Sequence, residues 1–115
     1  MIIDLDLFNE VVGAIGIDTA MTVITMFREQ TPILLAGAID DDNDVAIRAQ
    51  SLHALKGMAQ QLGLVPLRQI CQSTEQALID QAADESVRAL LTDVRYALEQ
   101  AQQALIVEAN RLQQN

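Results

Sequence analysis

Ser51-Leu52-His53-Ala54-Leu55-Lys56-Gly57 sits in the middle of a stretch, from about Asp44 to Leu62, whose apolar residues return at helical spacing. Val45, Ala49, Leu52, Leu55, Ala59 and Leu62 fall on one stripe, which predicts an amphipathic helix with that face toward a core. Asp44 is placed to cap its start, Gly63 to stop it as a C-cap, and Pro66 to occupy the first turn of the next helix. A connection this short forces the two helices to run antiparallel. The rest of the fold is read from that hairpin.

Downstream, Leu67, Ile70, Cys71, Thr74 and Leu78 give the second arm an inner face. Asp84 and Glu85 then open the longest helix, in which Val87, Leu91, Val94, Leu98, Ala101, Leu105 and Leu112 follow alternating spacings of three and four. Upstream, Asp40-Asp41-Asp42-Asn43 reads as a solvated loop. It lacks the alternating carboxylates, turn glycine and terminal Glu of a calcium loop. Before it, a helix starting at Asp18 carries Val23, Ile24, Phe27, Leu34, Leu35 and Ala38. That pattern stays in phase across Pro32, so the proline is expected to kink the helix rather than end it. A short first helix, capped by Asp4 and carrying Leu7, Phe8, Val11 and Val12, ends at Gly13 or Gly16 and is expected to lid one end. The expected architecture is all-α: an antiparallel four-helix bundle with a short additional N-terminal helix, forming a single domain over residues 1–115.

Composition agrees. Half of the 115 residues are hydrophobic but only 3% are aromatic, which suits close-packed helices around one core. The net charge is −9, from 16 acidic against 7 basic residues, with no basic cluster, so nucleic acid is excluded as a partner. The longest apolar run, Ile33 to Ile39, falls far short of the ~20 residues that span a bilayer, and Asp4 and Asp6 break any signal peptide. A cytoplasmic protein with no membrane association is expected. The lone Cys71 cannot form an internal disulfide and reads as a small core residue; Met21, Met26 and Met58 read as packing.

His53 is the one histidine of the chain. At about 100° per residue it lies at the edge of the Leu52 stripe, not on its centre. Its neighbours one and two turns away, Ala46, Ala49, Gly57 and Gln60, are mostly small and leave the imidazole uncovered for a docking partner. Gly57 inside a helix costs about 1 kcal/mol relative to Ala, and room for something to approach His53 is a reason to keep it. Reflecting His53 through a turn centred near Leu64 brings Glu75 level with it on the facing helix. A carboxylate there accepts a hydrogen bond from Nδ1–H and leaves Nε2 outward as a nucleophile. Lys56, one turn along, can reach the same region with its ammonium.

His53-Ala54-Leu55-Lys56-Gly57, with Leu62-Gly63 after it, resembles the signature of histidine-containing phosphotransfer (HPt) domains, and the likeness in helix order covers nearly the whole chain. The resemblance implies that His53 is the phosphoacceptor, receiving a phosphoryl group from a receiver-domain aspartate and passing it to a response-regulator aspartate. It implies Lys56 as electrostatic partner, Gly57 as clearance for the receiver, and Glu75 as the residue that hydrogen-bonds the histidine. Met58 stands where the family often has Ser or Ala, but the wheel points it away from His53. The implied partners are receiver domains and a histidine or hybrid sensor kinase. No cofactor is implied, since Mg²⁺ belongs to the receiver, and the chain is not an autonomous enzyme. A monomer is expected, because the stripe of the last helix is used inside the bundle. The rival reading is a non-catalytic helical adaptor that docks a signalling partner without phosphorylation; it leaves Gly57 beside the histidine unexplained.

Overall fold

The computed structural model describes residues 1–114. Among them the chain is all-helical: α1 (Leu5–Ile15), α2 (Ile17–Ile39), α3 (Val45–Gln61), α4 (Val65–Ile79) and α5 (Asp84–Gln113). Contacts run α2 to α3, α3 to α4, α4 to α5 and α5 back to α2, a closed ring around one core, while α1 packs on α2. The 30-residue α5, about 45 Å long at ~1.5 Å per residue, spans the 48 Å long dimension of the molecule.

Local chemistry sets the helix ends. Asp4 caps α1 by accepting from Leu7 N–H at 3.2 Å, and Asp44 caps α3 by accepting from Ile47 N–H at 2.9 Å. After α3, Leu62 is the C-cap and Gly63, at φ 73°, is the left-handed residue beyond it. There Gly63 N–H donates to Gln60 C=O and Leu64 N–H to Ala59 C=O, which satisfies carbonyls that the helix end would leave bare. Gly63 also receives the N-terminus: Asp4 N–H donates to Gly63 C=O at 2.7 Å. This bond holds the entry to α1 against the α3–α4 turn.

The core is aliphatic with two phenylalanines, Phe8 and Phe27, each 1% exposed. Burying a large apolar side chain stabilises by roughly 2 kcal/mol, so Leu52, Leu55, Leu64, Leu67 and Leu105, all essentially inaccessible, form the backbone of the stability. Small residues set the closest approaches: a Cβ on Gly37 of α2 would sit 2.9 Å from the Ser51 Oγ of α3. Asn43 Nδ2 donates to Gly37 C=O and Arg48 Nε to Ala38 C=O, while the Arg48 guanidinium also meets Asp41 at 3.5 Å. The acidic loop therefore serves as a pinned turn between α2 and α3.

The structure corrects the expected pattern at several points. Helix α2 begins at Ile17 after Gly16, not at Asp18, and Gly13 lies inside α1. As the phase of its stripe predicts, α2 does not end at Pro32. Val45 is 46% exposed, in a first turn of α3 where Ala46 and Ile47 are exposed as well. Thr31 and Glu108 are buried at positions where the stripe calls for apolar residues. Thr31 donates to Phe27 C=O and accepts from Gln102 Nε2, which joins α2 to α5. Glu108 accepts from Arg111 Nε at 2.7 Å, and Arg111 Nη2 reaches Asn9 of α1 at 2.8 Å. None of the helices in the described residues is long and apolar enough to cross a membrane.

Candidate functional site

The α3–α4 hairpin builds the site. Because the turn at Leu62–Leu64 is tight, the register between its arms is fixed, and His53 of α3 comes level with Glu75 of α4. The His53 Nδ1 to Glu75 Oε2 distance is 3.1 Å, and the other carboxylate oxygen, Oε1, accepts from Lys56 Nζ at 3.1 Å. A single carboxylate thus bridges the histidine and the lysine.

Exposure is uneven across the three. The His53 side chain is 68% exposed, whereas Glu75 and Lys56 are 16% and 21% exposed. The ring is largely exposed with Nδ1 engaged by Glu75, so Nε2 is the nitrogen left for a partner. If Nδ1 carries the hydrogen that Glu75 accepts, Nε2 holds the lone pair, which makes it a nucleophile without further assistance. The Lys56 ammonium is held on the Glu75 oxygen that His53 does not use.

Beneath this triad lies Cys71, fully buried. Burial pushes its thiol up to about 12; Glu75 adds to the rise and Lys56 opposes it. A thiol so disfavoured from ionising is neither nucleophile nor metal ligand at neutral pH, which agrees with its reading as core. Among the described residues no group of three or more His, Cys, Asp and Glu side chains converges as a metal site would require.

Around His53 the sequence expectation holds in part. Ala46, Gly57 and Gln60 are exposed, and the space where a Gly57 Cβ would stand has nothing within 4 Å. Ala49 is different: it is only 9% exposed and belongs to the core face. Four residues before His53, it falls about 40° round toward the Leu52 stripe, whereas Gln50 falls about 60° the other way, toward solvent. Gln50 and Ala54 are both exposed and extend the flank that the sequence assigned in part to Ala49. The helical wheel carries the signal for Gln50, which lies on the solvent side of His53 as Ala49 lies on the core side. Met58 packs against the core, as its position on the wheel requires.

Residues 18–104 match the family model described as Hpt domain. Among solved structures, the chain is similar to an X-ray structure from rice assigned as a histidine-containing phosphotransfer protein, with a TM-score of 0.74 at 16% identity, covering 97% of this chain and 84% of that one. At that identity the likeness speaks for the fold. No match was found among curated proteins.

Proposed function

The chain belongs to the Hpt domain family of phosphotransfer intermediates, and from that premise we propose that His53 accepts a phosphoryl group from a receiver-domain aspartate and donates it to a response-regulator aspartate. The observation that carries this reading is the exposed ring of His53, whose Nδ1 is held 3.1 Å from Glu75 Oε2 so that Nε2 is left for the phosphoryl group. Nε2 attacks the phosphorus of the aspartyl phosphate, the P–O bond to the aspartate breaks, and the carboxylate leaves with the electron pair. The ring, now phosphorylated on Nε2 and still protonated on Nδ1, becomes cationic beside the Glu75 carboxylate. Transfer onward reverses these steps on a second receiver.

This chain supplies the nucleophile and its orientation, and the receiver supplies Mg²⁺ and the groups that stabilise the transferring charge. The scaffold is read as an antiparallel four-helix bundle of α2 to α5 with α1 as a lid; the ring of helix contacts and the tight α3–α4 turn support that. The receiver docks over Ala46, Gln50, Ala54, Gly57 and Gln60, a flank whose small side chains admit close approach to His53. The interface is transient and at the small end of the range, below about 1,200 Å². The protein acts as a monomer in the cytoplasm, charged by a histidine or hybrid sensor kinase through that kinase's receiver.

The experiment pairs transfer with binding. His53→Gln keeps the shape of the flank and removes the nucleophile, so receiver binding persists while transfer from a phosphorylated receiver is lost. If wild type binds receivers but none of them charges it, the adaptor reading replaces this one.

A further inference from the structure

Glu75 does more than aim the ring. Its two oxygens are divided between His53 Nδ1 and Lys56 Nζ, each at 3.1 Å, and its side chain is only 16% exposed. An amide at position 75 would equally orient the imidazole, since its carbonyl oxygen also accepts from Nδ1–H; what an amide lacks is charge. The difference is felt after phosphorylation. A ring phosphorylated on Nε2 can lose its proton only from Nδ1. If the proton is retained, the phosphoryl group departs from an imidazolium and the leaving group is neutral imidazole. If it is lost, the leaving group is an imidazolate anion, a far poorer one.

Resting on the phosphotransfer reading above, we infer that Glu75 keeps the Nδ1 proton on phosphorylated His53 and so holds the phosphoryl group in its transfer-ready form, with Lys56 setting how much of the carboxylate's charge the ring receives. Glu75 is a positioning residue whose charge, as well as its geometry, matters. The transfer step balances without a proton moving: the acceptor carboxylate oxygen bonds to phosphorus, the P–Nε2 bond breaks, its electron pair returns to Nε2, and Nδ1–H stays in place.

Two charged side chains are bonded together at the site, and Arg68 stands two turns before Glu75 on the same face of α4, about 10 Å along the helix. From α4 comes Glu75 and from α3 Lys56. Arg48, also on α3, is turned away toward Ala38 C=O and Asp41. From α2 the identified contacts to α3 are made by Gly37 and Ala38, which carry no charge. Below, the Cys71 thiol stays neutral. Glu75 favours the protonated ring and Lys56 disfavours it, so removing each moves the balance in opposite directions.

The test charges wild type, Glu75→Gln and Lys56→Met with the small phosphodonor phosphoramidate, which needs no receiver. The Nδ1 protonation midpoint and the lifetime of phosphohistidine are then followed by ³¹P NMR against pH. Glu75→Gln is expected to lower the midpoint and to lengthen the lifetime at neutral pH several-fold. Lys56→Met leaves the midpoint level or raises it. A midpoint unchanged in Glu75→Gln overturns the inference while the phosphotransfer reading stands, as does a fall in both variants alike. If wild-type His53 takes no phosphate from phosphoramidate or from any receiver, the phosphotransfer reading itself fails.

Discussion

Gly57→Ala separates what the fold needs from what the partner needs. A Cβ built on Gly57 meets nothing within 4 Å, so the folded chain accepts the methyl without a clash. Ala is the better helix former by about 1 kcal/mol, and for a domain of this size that raises the thermal midpoint by about 4 °C. The same methyl stands one turn from His53, about 40° round the helix, on the flank assigned to the receiver. A receiver seated closely enough to bring its aspartate to Nε2 must yield to it, and forcing a methyl into a packed contact costs about 1–3 kcal/mol. Phosphotransfer kcat/KM from a charged receiver is therefore expected to drop by about tenfold or more, while charging by phosphoramidate is unaffected. Calorimetry and stopped-flow transfer read the two effects independently. A variant that is more stable and transfers as fast as wild type refutes the claim that Gly57 provides clearance; one that is less stable refutes the reading of the open space around it.

Other expectations concern the scaffold. Gly63→Ala places a Cβ 2.9 Å from the Asp4 carbonyl oxygen at a residue with φ +73°, and is expected to destabilise the chain by roughly 2 kcal/mol in urea unfolding. Gln81 occupies the equivalent left-handed position after α4, at φ 58°, with Ala82 N–H bonded back to Ala77 C=O; Gln81→Gly should raise stability by about 1 kcal/mol. Cys71 gives a pH signature. Its thiol is raised from 9.0 to about 12 in the folded chain, so the folded state holds a proton that the unfolded state releases. This contribution is fully present below the unfolded value and is lost as pH rises toward the folded one. Stability should fall by about 1 kcal/mol between pH 9 and pH 10, and Cys71→Ala should remove that slope.

Where the chemistry is local, the sequence was readable. Asp4, Asp44, Gly63 and Pro66 each act on their own turn of helix, and the tight turn at Gly63 and Pro66 carries His53 to Glu75 by simple reflection. Periodicity alone does not tell which turns of a stripe the bundle covers: Val45 lies on the stripe, but the first turn of α3, with Ala46 and Ile47, is exposed. Buried polar residues were hidden for a related reason. Thr31 is tolerable because Gln102 arrives from α5, and Glu108 because Arg111 turns back to it, and neither pairing leaves a mark in the periodicity. The spacing brings Lys56 near His53 and the family resemblance gives it a phosphoryl group to offset; that Glu75 holds it in the resting chain follows from both arms of the hairpin together.

The most direct measurement charges wild type and His53→Gln with a phosphorylated receiver domain and maps the label by tandem mass spectrometry under alkaline conditions. The expected result is an acid-labile, alkali-stable phosphate on His53 Nε2 of the wild type and none on the variant. A label carried elsewhere in the chain, or carried equally by His53→Gln, contradicts the account.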